Sequence, residues 1–200
     1  MQLPPLAWPV YDEGDVFYIL DETRLPEEQV YIKDGSYLDA VRAISGMQTM
    51  AFGQVLTLFY AFLITARQNR DGKREEVLSL IRMAARALEQ SRPTFAFKDL
   101  SGKVMAWAER AFTEGKDISS FLEGRILAFL DHLKELRIRR ATYAASLVGD
   151  GDIVLPERVR QDRLAPGKEE LLDRVLRVEL VQAQRRRVRQ LGEEHDARRQ

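Results

Sequence analysis

The chain has 200 residues, 45% of them hydrophobic, and its 31 basic side chains balance its 31 acidic ones. That length and apolar content suffice for one well-buried domain with an appendage, and the balanced charge gives no overall reason to expect a nucleic-acid or membrane partner. The absence of cysteine excludes disulfides, thiolate metal sites and cysteine nucleophiles from these residues, and it fits a cytoplasmic location.

Two short runs of β-branched and aromatic residues follow a predicted N-terminal extension over residues 1–14. Residues 16–20 (VFYIL) and 29–33 (QVYIK) are joined by a polar connection that contains proline. This arrangement predicts a short antiparallel β-ribbon. Asp34 or Ser36 can then cap the helix that follows.

From Ser36 onwards the hydrophobic period changes from 2 to 3.6 residues, which predicts a helical bundle. A fourth helix is expected near residues 104–112, and a fifth begins at Asp117 or Ser119 and either breaks or continues at Arg140. The stripes that mark the first three helices are Leu38, Val41, Ala43 and Ile44; Val55, Leu58, Phe59 and Phe62; and Val77, Leu80, Ile81, Ala84 and Leu88.

Residues 43–66 carry no charge and are long enough to cross a bilayer, which needs roughly 20 apolar residues. Glycine, glutamine and threonine interrupt this run, and its dense apolar part covers only residues 55–64. We therefore expect a buried core helix rather than a membrane span.

The C-terminal quarter has a different sequence pattern from the residues before it. After the predicted domain over residues 15–148, the string "GDGDIVL" reads as a turn followed by a strand, and residues 149–167 form a strand stub and linker. Residues 168–200 are predicted as a charged C-terminal helix. Its basic residues, candidates for anion binding, are Arg185, Arg186, Arg187 and Arg189. The acidic residues that follow them favour a solvated helix face instead.

No spacing predicts a catalytic residue, a metal site or a cofactor. His132 is adjacent to Asp131 in a helical pattern, and adjacent helix positions do not face each other, so this pair is poorly placed for acid–base chemistry. Asp150 and Asp152 lack further ligands at metal-binding spacing and are better interpreted as turn residues.

Three strings, in this order, carry a family resemblance: "YILDETRLPEEQVYIKDGSYLDAVRAISGM", "ALEQSRPTFAF" and "GDGDIVL". They resemble the Asp-Gln-Thr-x-Leu-Pro turn and following helix, the Ala-Arg-Pro-Thr-Ala-x-Asn segment and the entry strand of the methylthioribose-1-phosphate isomerases. That family also includes regulatory subunits of initiation factor 2B. The resemblance covers roughly residues 15–155, and it implies the N-terminal domain without the catalytic Rossmann-like domain.

Departures from the family pattern bear on function. The family reads Met-x-Val-Arg-Gly-Ala-Pro-Ala where this chain has residues 47–54, so Met50 stands at the position of the phosphate-binding Arg and Ala51 at that of the Gly. An apolar side chain thus replaces a bidentate phosphate ligand. Arg158 falls at the position of the catalytic Cys. Arg92 matches a substrate-contacting Arg and is a candidate remnant phosphate ligand; otherwise it satisfies the carbonyls at a helix end.

Together these observations predict a mainly α, α+β fold: an N-terminal antiparallel β-ribbon, a helical bundle and a charged C-terminal helix. The expected function is a non-catalytic stand-alone domain that acts as a protein-interaction or regulatory module, with another protein chain or a second copy as partner. Sugar phosphate is not expected as a ligand. Met47, Met50 and Phe52 are either core residues or a partner surface. The alternatives are one half of a split sugar-phosphate isomerase and a nucleic-acid-binding protein that uses the C-terminal arginines.

Overall fold

Three antiparallel strands and five helices make up residues 7–147, the part of the chain that the computed structural model describes. The strands β1 (Val10–Glu13), β2 (Val16–Leu20) and β3 (Tyr31–Asp34) form one sheet in the order β1-β2-β3. The helices are α1 (Tyr37–Ser45), α2 (Ala51–Gln68), α3 (Arg74–Ser91), α4 (Phe97–Thr113) and α5 (Ile118–Ser146). The predicted fold class, mainly helical with antiparallel strands at the N-terminus, is confirmed. The chain divides into two compact units, Met1–Ile138 and Arg139–Gln200.

The first strand is an addition to the predicted ribbon, because β1 lies within the residues expected to form an extension. Tyr11 pairs with Tyr18 across the β1–β2 hairpin, and Gly14 takes a positive φ of 65° in the turn. Only Val10 of β1 is buried. The other three residues of this strand include two acids, which have low strand propensity, so the segment carries no alternating hydrophobic signal.

Helix α2 occupies the centre of the first unit. Its buried positions extend around the helix from Leu56 to Ala66 without interruption, and it packs against α1, α3 and the sheet. The uncharged run is thus a core helix, as predicted. Among residues 7–147, no helix is both long and apolar enough to cross a membrane.

Helix boundaries and faces differ from the sequence expectation in two places. Leu38, expected in the apolar stripe of α1, is 50% exposed, while Ala40, Ala43 and Ile44 face the core. Helix α4 begins at Phe97, seven residues before the predicted start, because the ring of Phe97 is fully buried and anchors the first turn. Helix α5 continues without a break through Arg140.

The guanidinium of Arg67 joins three elements of the first unit. Its Nη1 donates to Asp12 Oδ2 at 2.6 Å and to the Gly14 carbonyl at 2.7 Å, and its Nε donates to Glu123 Oε1 at 2.8 Å. The side chain is only 12% exposed. Because a buried cation needs paired acceptors, this one residue of α2 fixes the positions of both β1 and α5.

A buried carboxylate at the end of β3 is incompletely satisfied. Asp34 is 6% exposed, and its Oδ2 atom has no hydrogen-bond partner among the described residues. Burial raises the pKa of Asp34 to about 6; the neighbouring Asp39 adds to the rise and Arg42 opposes it. The native state therefore binds this proton more tightly than the unfolded chain does.

This difference predicts how stability depends on pH. The contribution from Asp34 is fully present below pH 4 and is lost as pH rises towards and through 6, because the charged form is disfavoured in the fold. We expect Asp34→Asn to change the free energy of unfolding little at pH 4 and to raise it by roughly 2–3 kcal/mol at pH 7.5. Urea denaturation at both pH values measures this, with the exposed Asp71→Asn as control. An equal effect of Asp34→Asn at the two pH values would contradict the assignment.

Candidate functional site

The loop that connects α1 to α2 has an unusual backbone. Met47 has a φ of 55° and Ala51 a φ of 26°; they are the two non-glycine residues with positive φ in the described part of the chain. L-residues adopt this region at a cost, and they hold it only where surrounding contacts determine it. The strain lies in the segment where the family resemblance places a phosphate-binding loop.

The contact that determines this loop comes from Glu22, in a 3₁₀ turn formed by Glu22–Arg24. Its Oε1 accepts a hydrogen bond from the Met50 backbone N–H at 2.8 Å and another from the Thr49 hydroxyl at 2.7 Å. Its own N–H donates to the Gln48 carbonyl at 2.8 Å. Met50, the N-cap residue of α2, makes no side-chain capping hydrogen bond. The Glu22 carboxylate accepts from the backbone N–H of Met50, so its negative charge lies favourably near the positive end of the helix dipole.

Gly53 makes this close approach possible. A Cβ at this position would lie 1.9 Å from Thr49 Oγ1 and 3.0 Å from Glu22 Oε1. No other residue type fits without displacing the hydroxyl that the carboxylate binds. The first turn of α2 therefore has a glycine where the Glu22 carboxylate lies close to the helix backbone.

A second set of contacts links the same loop to α3. The fully buried Gln54 donates through Nε2 to the Thr49 carbonyl at 2.8 Å, and its Oε1 accepts from Arg92 Nη1 at 2.6 Å. The Arg92 guanidinium also lies 5.8 Å from the centre of the Phe95 ring. The helix-end alternative predicted contacts between Arg92 and α3 carbonyls. The hydrogen bond seen from the Arg92 side chain instead goes to α2.

The three residues of the candidate partner surface differ in their surroundings. Met50 is 41% exposed, whereas Met47 is half-buried with its Sδ 3.5 Å from Gln54 Nε2. Phe52 is half-buried and packs edge-on against Trp8 at 5.6 Å, with the Arg137 guanidinium 4.0 Å from its ring centre. The sequence analysis missed Trp8, because it lies in the predicted extension. Met50 is the most exposed of the three predicted residues.

His132 is among the remaining candidates that the structure describes. His132 is exposed on α5. Residues 7–147 contain no group of three His, Cys, Asp or Glu side chains that could hold a metal. The predicted strand at residues 153–155 and the C-terminal helix lie outside the described residues, as do the anion-binding candidates Arg185, Arg186, Arg187 and Arg189.

Comparison with known sequences identifies relatives over part of the chain. Methylthioribose-1-phosphate isomerase from Desulforudis audaxviator is 38% identical over 85 residues, which are 42% of this chain and 24% of that enzyme. The enzyme of the same name from Pelotomaculum thermopropionicum is 34% identical over 77 residues, 38% of this chain and 21% of that enzyme. The matches thus span less than a quarter of these relatives' length. No family model matches the chain.

Comparison with solved structures shows the fold over a longer stretch. The 5-methylthioribose 1-phosphate isomerase from Pyrococcus horikoshii superposes with a TM-score of 0.62 at 16% identity, covering 74% of this chain and 44% of that one. The delta subunit of translation initiation factor eIF-2B from A. fulgidus superposes with a TM-score of 0.57 at 21% identity, covering 72% and 42%. The fold is that of part of these proteins, and the predicted resemblance to their family is confirmed.

The geometry predicts that Glu22 is required for the stability of the loop. Glu22→Ala leaves the buried Thr49 hydroxyl and the Met50 N–H without this acceptor, so we expect the free energy of unfolding to fall by about 1–2 kcal/mol. Glu22→Gln keeps an acceptor oxygen and should cost less. Urea denaturation measures both. The control is Glu28→Ala, which removes an exposed ion pair with Arg24 and should have little effect. Equal losses for the Glu22→Ala and Glu28→Ala variants would show that the cap contributes nothing.

Proposed function

We propose that this chain is a non-catalytic relative of the methylthioribose-1-phosphate isomerases that acts as a protein-interaction or regulatory module. The observation that carries the proposal is the Glu22 carboxylate at the N-terminus of α2. The sequence resemblance places the substrate-phosphate loop of the isomerases at this helix start. Here the backbone N–H of Met50 already has an anionic acceptor from the chain itself.

Electrostatics makes this arrangement unfavourable for a sugar phosphate. Two unit charges of the same sign 4 Å apart repel by about 4 kcal/mol at the effective dielectric constant of a protein surface, and a phosphate carries close to two charges. The Arg that would offset this repulsion is replaced by Met50. Arg92, which matches a substrate-contacting Arg of the family, has its Nη1 hydrogen-bonded to Gln54. A single guanidinium that already donates to an amide supports phosphate binding poorly.

A ligand titration tests whether Glu22 prevents phosphate binding at the start of α2. We expect the wild-type chain to bind no methylthioribose-1-phosphate at millimolar concentration and to catalyse no isomerisation. The double variant Glu22→Gln, Met50→Arg removes the competing charge and restores a guanidinium, so we expect it to bind the ligand weakly. Calorimetry with the sugar phosphate, and with inorganic phosphate in parallel, measures both cases.

The control for this titration is the pair Glu28→Gln, Met50→Arg, which makes the same net charge change with Glu22 intact. If this control binds the sugar phosphate as strongly as the Glu22 variant does, Glu22 does not prevent phosphate binding. Micromolar binding or turnover by the wild-type chain would overturn the non-catalytic assignment itself.

The surface around the start of α2 supports the proposed protein interaction. Met50 offers a flexible, polarisable side chain to solvent, and such residues are used at protein-binding surfaces. The aromatic pair of Trp8 and Phe52 borders the same helix start, with Lys134 6.0 Å from the Trp8 ring. An exposed apolar side chain at a helix start that also carries aromatic residues suits a protein partner better than a sugar phosphate.

A matched pair of surface variants tests this interaction. We expect Met50→Asp to weaken binding to a purified physiological partner at least tenfold, because it places a charge at the centre of the contact. Met83→Asp is the control, since Met83 is a similarly exposed methionine, 52% accessible, on α3. Surface plasmon resonance with the partner immobilised measures both. Equal affinities for the wild-type and Met50→Asp chains would exclude Met50 from the interface.

A further inference from the structure

The two edges of the sheet differ in what lies against them. Strand β1 is tied to α2, because Arg67 donates to the Asp12 carboxylate and to the Gly14 carbonyl. Strand β3 forms the opposite edge of the sheet. Among residues 7–147, no backbone hydrogen bond reaches Tyr31 or Lys33 except those that pair β3 with β2. In the described part of the chain, β3 is therefore an open edge.

The register of the β2–β3 ladder determines which backbone groups of β3 point outwards. Hydrogen-bonded and non-hydrogen-bonded pairs alternate along an antiparallel ladder. The Asp21 N–H donates to the Val30 carbonyl at 2.9 Å, and the register places Ile32 in the next hydrogen-bonded pair. Tyr31 and Lys33 then belong to the non-hydrogen-bonded pairs. Their N–H and C=O groups point away from β2.

This outward row of backbone groups ends at Gly35. The Gly35 N–H donates to Asp39 Oδ2 at 3.2 Å, and its carbonyl accepts from Gln68 Nε2 at 2.8 Å. Tyr31 and Lys33 are thus the two residues of β3 whose outward N–H and C=O groups are available to a further strand. A row of such groups is a template for pairing with another chain.

We propose that β3 pairs antiparallel with β3 of a second copy, so that the two sheets join across a twofold axis at Ile32. In this register Tyr31 lies opposite Lys33 of the second copy, and Lys33 lies opposite its Tyr31. Both positions point outwards, so each of these pairs exchanges two N–H···O bonds. Ile32 faces its own counterpart in the non-hydrogen-bonded pair between them. The pairing uses a different surface from Met50 and does not depend on the function proposed above.

The side chains of β3 favour this register over its neighbours. Tyr31 and Lys33 share one face of the sheet, where the Tyr31 ring packs against Tyr11 at 5.2 Å. The proposed pairing places the exposed Lys33 ammonium beside the Tyr31 ring of the second copy, which is a favourable cross-strand pair. A shift that put Lys33 opposite Lys33 would bring like charges together. The opposite shift would put Tyr31 against Tyr31 and would need Gln29, which lies before the strand.

The short length of β3 determines how strong the pairing is. The strand has four residues, and the contact buries much less than the roughly 1,200 Å² at the lower end of stable interfaces. An exposed lysine on an edge strand also limits uncontrolled pairing. We therefore expect a weak, reversible dimer whose fraction rises with concentration up to about 1 mM.

A single-cysteine trap tests the twofold register, because the chain has no cysteine of its own. Ile32→Cys places two thiols at the axis, where opposite Cα atoms of a non-hydrogen-bonded pair are about 4.5 Å apart, within disulfide range. The control is Lys33→Cys, whose two Cα atoms would lie roughly 8–9 Å apart, beyond that range. We expect Ile32→Cys to form disulfide dimers at least tenfold faster, although position 33 is more exposed. Non-reducing electrophoresis under mild oxidation measures both rates.

A backbone variant tests the outward N–H of Lys33. Lys33→Pro removes this donor but no β2–β3 hydrogen bond, and proline is accepted at edge positions whose N–H points away from the sheet. Lys33→Ala keeps the donor and is the control. We expect the dimer dissociation constant to rise at least tenfold for the proline variant and less than threefold for the alanine variant. Sedimentation equilibrium between about 10 μM and 1 mM measures this, with thermal melting as the check on folding. If Lys33→Pro does not fold, the cysteine trap decides.

Several results would overturn the pairing of β3 with a second copy. Equal or reversed trapping rates for the cysteines at positions 32 and 33 would exclude the axis at Ile32. Dimerisation by folded Lys33→Pro as strong as that of the wild-type chain would exclude the β3 backbone. A chain that remains monomeric and untrapped would show that Lys33 protects an unpaired edge. Met50→Asp should leave dimerisation unchanged; loss of the dimer in this variant would assign self-association to the Met50 surface instead.

Discussion

The hydrogen bonds that Glu22 accepts at the start of α2 are the constraint on which the candidate site depends. They satisfy the backbone N–H of Met50, the N-cap residue of α2, which has no polar side chain. They also hold Thr49, whose hydroxyl is fully buried, against Gly53. The contacts of Gln54 Nε2 with the Thr49 carbonyl and with Met47 Sδ support the same strained loop. A helix end of this kind always needs an acceptor, and here the acceptor belongs to the fold.

This internal capping changes what the site can do. A helix N-terminus with free N–H groups is suited to binding an external anion, and the resemblance to sugar-phosphate isomerases would suggest such a use. Once Glu22 occupies that position, an incoming phosphate must displace a contact that also fixes the loop. Binding would then cost both charge repulsion and loop stability. The replacement of the family's Arg by Met50 is consistent with this situation, because an arginine would form an ion pair with Glu22 instead of a substrate site.

Sequence reasoning predicted the parts of the fold that local periodicity determines. The apolar stripes located α2, α3 and α5, and the uncharged run was correctly assigned to the core. Strand β1 was missed because Tyr11, Asp12 and Glu13 lack an alternating hydrophobic pattern; its pairing and the ion pair with Arg67 hold it in the sheet. The contacts of the candidate site could not be predicted at all. Glu22 and Met50 are 28 residues apart, and Arg92 and Gln54 are 38 apart, so only the tertiary fold brings them together.

The same contacts bear on the proposed role in recognition. Met50 is held at a fixed helix start by backbone hydrogen bonds, and its loop is linked to α3 through Gln54 and Arg92. A surface side chain on a rigid, strained backbone loses little backbone freedom when a partner binds, so more of the contact energy appears as affinity. One donor at this helix start, the backbone N–H of Met50, is already engaged by Glu22. Under the proposed function, the backbone strain is the cost of presenting Met50 in one conformation.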